Sequence, residues 1–290
     1  MPSSSRFTLI LPFIALSITL FTPPCWAAEV VIIADRQLKP ATEIITGIRK
    51  TLNTSISIYG PDEVRGRLSR VVARERARVV VALGREALGE ALGLPPEIPL
   101  IFDMVVTPPA VTRPNTTGFY LATPAREYND LIRKHFHTIK QMAVVGSRDQ
   151  LNILARGESS FSVRNSVEFV KTVNRLDSTD AILLLPDTAV LTTAAMDEAY
   201  LFSFRKGIPL LGISERHVRE GALVALVVDM VHVGRLIGEY AARALNGADI
   251  GQIPPAPPRK FDIYLNAATA RKMGIPLPNE LVRIAKRVYP

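Results

Sequence analysis

The chain contains very little cysteine and few aromatic residues. Of its 290 residues one is cysteine and one is tryptophan, and aromatic residues make up 7%. A single cysteine, Cys25, excludes a disulfide within the chain. It lies in an N-terminal segment that we expect to be removed, so we expect the mature protein to use no thiol chemistry.

Motifs for nucleotide cofactors and for common catalytic chemistry are also missing. No G-x-G-x-x-G follows a predicted strand, and no G-x-S-x-G elbow or spaced carboxylate pair occurs. The stretch LGREALGE (83–90) has glycines five apart but no Lys-Ser/Thr to hold a phosphate and a metal. His135 and His137 lie on opposite faces of a predicted helix, while His217 and His232 are isolated. We therefore expect no cofactor, no metal and no enzymatic activity.

Beyond the N-terminus, no uninterrupted apolar run is long enough to cross a membrane. In REGALVALVVDMVHVGRLIGEYAARALNG (219–247), Asp229, His232 and other polar residues interrupt the apolar sequence before it reaches bilayer length. Residues 222–228 have the character of a buried strand, whereas the following apolar residues have helical spacing and end at Gly247. The pattern predicts a strand that passes into a helix at Asp229.

The N-terminal segment has the pattern of a secretory signal. Arg6 precedes an apolar run over residues 7–21, a Pro-Pro pair follows, and small residues lead up to Ala28. This pattern predicts a signal peptide over residues 1–27, cleaved after Ala27, and a periplasmic mature protein. The alternatives are an N-terminal membrane anchor, which would need a longer apolar core, and a lipoprotein modified at Cys25.

The composition is that of a basic globular protein. The formal net charge is +8, with 48% hydrophobic and 21% charged residues. The arginines of RGRLSRVVARERAR (65–78) alternate with apolar residues, which is typical of one solvated helix face. We therefore expect contacts with acidic ligands or membrane surfaces rather than with nucleic acid.

From residue 29 onwards, apolar strands alternate with helical patterns. The sequence predicts strands at 29–34, 55–59, 78–83, 98–104, 116–121, 141–146, 160–164, 180–186, 208–213 and 222–228. Helices are predicted near 41–52, 62–75, 85–92, 124–138, 148–156, 166–176 and 190–206. Strands that are apolar throughout and separated by helices predict parallel sheets covered on both faces. The predicted fold class is therefore α/β with two doubly wound lobes of parallel strands, and the proline-rich stretch 253–260 is a stiff connector.

Ligands in such sheets bind at the carboxyl ends of the strands. The loops expected there are 35–37, 84–86, 105–108, 186–188, 214–215 and 220–221. Gly84 allows a sharp turn after a strand, with Arg85 or the helix terminus facing an anion. Asp187 either caps a helix that starts near Ala189 or binds a ligand amine; both interpretations stay open.

The second half of the chain carries several motifs of one family. They are Asp187 before a helix, GIP at 207–209, GAL at 221–223, Asp229 followed by Gly234, LNG at 245–247 and LNAATARKMGIPLP at 265–278. With VVVALGREAL, IPLIFDMVVTPP and TTGFYL earlier in the chain, residues 78–288 resemble the ABC transporter substrate-binding protein family, which includes binding proteins of tryptophan- and tyrosine-type importers. The chain departs from the family in having Thr107-Pro108 where relatives carry Asp-Pro.

The resemblance implies a type I periplasmic binding protein, with two Rossmann-like lobes joined by a three-segment hinge. The N-terminal lobe would comprise 28–119 plus 229–258, and the C-terminal lobe 120–228 plus 259–290. Asp229 would lie at a crossing between the lobes, with either a structural or a ligand-binding role.

The implied function is an exported monomer that closes on a small-molecule ligand and delivers it to an ABC permease in the inner membrane. The alternative is a periplasmic sensing protein that signals to a membrane partner. The expected ligand-binding residues are Gly84, Arg85, Thr107, Tyr120, Asp187, Ser214 and Asp229.

Overall fold

The structure is a computed structural model that describes residues 28–110 and 113–290. These residues form two sheets, each flanked by helices, and the predicted two-lobed α/β class is confirmed. The predicted signal peptide, residues 1–27, lies outside the described residues. Within the described part of the chain, no helix combines the length and the apolar character needed to span a bilayer.

The first sheet contains five parallel strands in the order β2-β1-β3-β4-β5. Its elements are β1 (Val30–Ala34), α1 (Lys39–Thr51), β2 (Ile56–Tyr59), α2 (Pro61–Val64), α3 (Leu68–Glu75), β3 (Val79–Leu83), α4 (Arg85–Ala91), β4 (Leu100–Asp103) and β5 (Thr116–Gly118). β1 and β3 are apolar and buried along their whole length, because helices cover both faces of the sheet. The predicted helix 62–75 is two helices here, α2 and α3.

The second sheet contains seven strands in the order β12-β11-β10-β9-β8-β6-β7. The part of the chain after the first sheet begins with α5 (Ala125–His135), β6 (Met142–Gly146), α6 (Arg148–Leu154), β7 (Ser159–Ser162), α7 (Ser166–Val173), β8 (Ala181–Leu184), α8 (Thr193–Lys206), β9 (Leu210–Gly212), α9 (Glu215–Glu220) and β10 (Val224–Val228). It continues with α10 (Met230–Leu245), a 3-10 turn (Ile250–Gln252), β11 (Phe261–Asn266), α11 (Ala267–Lys272), α12 (Asn279–Ile284) and β12 (Arg287–Tyr289).

Two features of the second sheet differ from the prediction. β11 and β12 are additional strands, and β11 runs antiparallel to β10, so this sheet is not purely parallel. β12 has three residues that are exposed or half-buried, and the first half of β11 is half-buried. Both strands therefore lack the continuous apolar run that identifies the buried strands.

Helix α10 packs against α1 of the first sheet, although it follows β10 of the second. The two helices approach so closely that a Cβ on Gly234 would lie 2.1 Å from the carbonyl oxygen of Ile44. A Cβ on Gly47 would lie 2.2 Å from the carbonyl oxygen of Val231. Only glycine permits this contact. The predicted passage from strand to helix at Asp229 is confirmed, because Asp229 is the N-cap of α10.

Three crossings connect the two sheets: residues 119–124, Asp229 and residues 253–260. Hydrogen bonds join neighbouring crossings. The Ala256 N–H donates to the carbonyl of Gly118, the residue just before the first crossing, at 3.2 Å, and Ala256 forms a parallel bridge with Phe119 of that crossing. The Asp229 N–H donates to the Lys260 carbonyl at 3.3 Å. The crossings thus form one connected bundle beside the carboxyl ends of the first sheet.

Candidate functional site

A cavity of about 440 Å³ lies between the two lobes. Arg85, Val106 and Thr107 line it from the first lobe, while Ser147, Gln150, Asp187 and His217 are among the residues that line it from the second. These residues follow the carboxyl ends of β3, β4, β6, β8 and β9, the edge at which parallel α/β sheets bind ligands. Its volume is in the range of small-molecule sites.

The first-lobe wall is built by two loops. Gly84 has φ 103° and ψ 164°, a conformation that residues with a side chain rarely adopt, and its N–H donates to the Asp103 carbonyl at 2.8 Å. This sharp turn starts α4 and places Arg85 at the cavity, exposed and without an ion pair among the described residues. The loop that carries Thr107 is tied to the first crossing, since Leu121 N–H donates to the Val105 carbonyl at 2.8 Å.

Asp187 lies at the second-lobe wall and does not cap a helix. Its Oδ1 accepts the Ala189 N–H at 2.9 Å, which closes a turn. α8 begins only at Thr193, with Thr192 as its N-cap. The prediction of a helix starting near Ala189 is therefore wrong, because a turn occupies the residues between the strand and α8. The second carboxylate oxygen of Asp187 makes no hydrogen bond within the described part of the chain.

Ser147 and Gln150 also line the cavity, and the sequence prediction missed them. Their spacing is that of a capping box at the start of α6, in which each side chain would bond the backbone of the other residue. Neither bond forms. Gln150 is 9% exposed, its Nε2 donates to the Pro186 carbonyl, and its Oε1 has no hydrogen-bond partner.

His217 contributes a neutral imidazole to the same wall. Burial lowers the pKa of His217 below its ordinary value. Its Nδ1 accepts the Ile213 N–H at 3.4 Å, so the proton of the neutral ring is on Nε2. His217 is thus a hydrogen-bond donor at the cavity, a role that the sequence did not indicate.

Four of the predicted residues do not line this cavity. Gly84 shapes the loop before Arg85, and Tyr120 is packed in the core, where burial raises the pKa of its hydroxyl. Ser214 is the N-cap of α9 and accepts the His217 N–H at 3.2 Å. Asp229 accepts the His232 N–H at 3.0 Å and pairs with Lys260 Nζ at 3.1 Å. Ligand contact by any of the seven residues stays a prediction.

The pKa of Asp229 lies below its ordinary value. Burial opposes this shift, but the His232 N–H and the Lys260 ammonium group outweigh it. The ionised Asp229 therefore joins the second and third crossings through a side-chain ion pair as well as a backbone hydrogen bond.

A larger cavity of about 810 Å³ lies elsewhere, at the amino ends of β6 and β7. Its lining comes only from the second lobe, from residues such as Arg133, Phe136 and Phe161. A cavity within one lobe does not couple ligand binding to a change between lobes. The smaller interlobe cavity is therefore the candidate functional site. The described residues contain no group of three or more His, Cys, Asp or Glu side chains arranged to hold a metal.

Two α/β lobes joined by three crossings, with a ligand-sized cavity between them, define the class: this is the fold of type I periplasmic binding proteins. The family model described as "ABC transporter substrate binding protein" matches residues 157–289. This match covers most of the second lobe together with α10, and it confirms the predicted resemblance to that family.

Solved structures of this fold match nearly the whole chain. A substrate-binding protein with adhesive properties from Clostridium difficile, ligand-free and open, is 16% identical with a TM-score of 0.67. An ABC domain from Streptococcus pneumoniae in complex with L-Trp is 17% identical with a TM-score of 0.56. A conserved domain protein from Vibrio cholerae is 17% identical with a TM-score of 0.57. Each alignment covers 90% of this chain and 99% of the other. No curated protein matches the chain in sequence.

Proposed function

We propose that this protein captures a small solute between its lobes and delivers it to an ABC permease. The observation that carries the proposal is the interlobe cavity, whose walls come from both lobes at the carboxyl ends of their strands. A ligand that contacts both walls stabilises the closed arrangement over the open one, because only the closed arrangement makes both sets of contacts. No chemical step is required, so the protein acts by binding and not by catalysis.

In this proposal the N-terminal lobe comprises residues 28–119 and 229–258, and the C-terminal lobe comprises residues 120–228 and 259–290. The three hydrogen-bonded crossings would act as the hinge, because each crossing contributes only a few residues whose backbone has to rotate. The proposed location is the periplasm, after removal of residues 1–27, and the proposed state is a monomer. Support comes from the family match and from the signal-like composition of the N-terminus.

Mass spectrometry of the purified protein tests capture and export together. The mature protein is expressed in a bacterial periplasm, and native spectra are recorded before and after mild denaturation. We expect a bound small molecule that denaturation releases, and a chain that begins within a residue or two of Ala28. L-Trp is a first compound to add, because a protein of similar structure was solved with it.

Small-angle scattering tests closure. At saturation, the solute identified by mass spectrometry should lower the radius of gyration of the protein, since the lobes approach each other. An unchanged profile at saturation would contradict the closing mechanism. Co-purification of a histidine kinase in place of a permease would redirect the proposal to a sensing role.

A further inference from the structure

Gln150, a residue that lines the interlobe cavity, has a buried side-chain oxygen without a hydrogen-bond partner. The side chain is 9% exposed, and Oε1 has no hydrogen-bond partner. A buried acceptor without a partner destabilises the folded state, so such groups are rare in folded proteins unless a ligand or water satisfies them. The amide orientation is fixed, because exchanging its oxygen and nitrogen would place two oxygens together at the Pro186 carbonyl.

The local sequence would allow Gln150 a hydrogen bond with the backbone of Ser147, but this bond is absent from the structure. In a capping box, the Gln150 side chain would accept the Ser147 N–H and Ser147 Oγ would accept the Gln150 N–H. Both bonds are missing. The bond from Gln150 Nε2 to the Pro186 carbonyl holds the amide next to Asp187 instead, and both side chains line the same cavity.

Three side chains at this wall offer acceptor oxygens, and two of them are carboxylates. Gln150 Oε1, the free oxygen of Asp187 and the exposed carboxylate of Asp149 all belong to residues that line the cavity. A hydroxyl group supplies one hydrogen, whereas a primary ammonium group supplies three. The lining carries two carboxylates against one cation, Arg85 on the opposite wall, and the imidazole of His217 is neutral. The excess of negative charge favours a cationic nitrogen over a neutral hydroxyl.

We propose that Gln150 Oε1 and the free oxygen of Asp187 form a subsite for a protonated primary amine of the captured solute. The proposal rests on the proposed solute-binding function and adds a specificity-determining residue to it. Gln150 fixes the direction of one N–H, and Asp187 supplies the opposite charge.

The test uses matched pairs of probe compounds that differ in the amino group: phenethylamine with phenethyl alcohol, γ-aminobutyrate with butyrate, and putrescine with butanediol. Binding to the mature wild-type protein is measured by isothermal calorimetry and ligand-observed NMR. We expect at least one amine to bind about tenfold or more tightly than its partner, and no partner to bind more tightly than its amine. Equal affinity within every pair, or no binding by any amine, overturns the proposal.

Two variants separate ligand recognition from a structural role of Gln150. Gln150→Met keeps the volume but removes the acceptor, and it should reduce the preference for the amine about tenfold or more. Gln150→Glu keeps an acceptor oxygen but loses the donor to Pro186, so it should retain the preference for the amine. If Gln150 acts only through its bond to Pro186, both variants should lose affinity for the amine equally, and that result overturns the proposal. Gln141→Leu, at the exposed opposite end of β6, is the matched control and should bind as wild type does.

Mass spectrometry of captured solutes distinguishes the two levels of the proposal. A captured solute without an amino group leaves solute binding intact and overturns the amine subsite. Failure to capture any solute, together with no binding in the probe set, overturns both.

Discussion

The buried carboxyl group of Asp103 should make the stability of the protein depend on pH. Asp103 ends β4, is fully buried, and neither of its oxygens has a hydrogen bond of ordinary geometry. Burial raises its pKa from 3.8 to about 7, and the nearby Met104 N–H offsets only part of that rise. Because the pKa is higher in the folded state, the contribution of Asp103 to stability is greatest at low pH. It is lost as the pH rises from the ordinary carboxyl pKa through about 7.

The magnitude follows from the two pKa values. A rise from 3.8 to about 7 corresponds to roughly 4 kcal/mol of lost stability at high pH. Somewhat more than half of that loss falls between about pH 5 and about pH 8. Asp103→Asn keeps the shape of the side chain but does not ionise, so its unfolding free energy should lack this part of the pH dependence.

Urea unfolding followed by circular dichroism at the two pH values measures the effect. Asp177→Asn is the control, because Asp177 is exposed and the substitution should leave the wild-type pH dependence unchanged. If wild type and Asp103→Asn lose stability equally between the two pH values, Asp103 is not a buried unpaired acid and the reasoning fails.

Three further predictions concern the cavity wall, the contact between α1 and α10, and a buried tyrosine of the second lobe. Asp187→Asn should weaken the binding of an amine ligand about tenfold to a hundredfold in calorimetry while leaving the apo melting temperature nearly unchanged; wild-type affinity would remove Asp187 from the site. Gly234→Ala should lower the free energy of unfolding by about 2 kcal/mol or more, because a Cβ would lie 2.1 Å from a carbonyl oxygen of α1. Urea unfolding of both variants measures this: Gly89→Ala in α4, where the added Cβ meets open space, should cause no loss, and equal losses would contradict the steric argument. Tyr128→Phe should cost about 2 kcal/mol in chemical denaturation, because the buried hydroxyl donates to the Gly212 carbonyl at 2.6 Å; an unchanged midpoint would show that this bond adds nothing.

The architecture was predictable where strands are buried on both faces. VVIIA in β1, VVVAL in β3 and AILL in β8 are apolar throughout, and all three are fully buried. β12 was not predictable, because a three-residue, half-exposed edge strand carries no such pattern. The start of α8 was misplaced because the residues after Asp187 include helix formers, and the turn closed by Asp187 overrides that preference.

The candidate site was predictable only in part. The rule that ligands bind at the carboxyl ends of strands pointed to Arg85, Thr107 and Asp187, and all three line the cavity. The same rule failed for residues 220–221, because they precede β10 and lie at its amino end. Gln150 was missed because the loop after β6 was not among those expected at the site. Its spacing from Ser147 is that of a capping box, and only three-dimensional contacts show that the capping bonds are not made.

The close contact of α10 with α1 imposes an order on the assembly of the chain. Residues 28–118 supply every strand of the first sheet, yet α10 follows residues 119–229, which build most of the second. During synthesis, the apolar side chains of α1 that α10 covers, including Ile44 and Ile48, therefore stay exposed until the whole intervening segment has emerged. A nascent chain of this protein has a long interval in which it is prone to aggregate, and a chaperone that holds it unfolded would act in that interval.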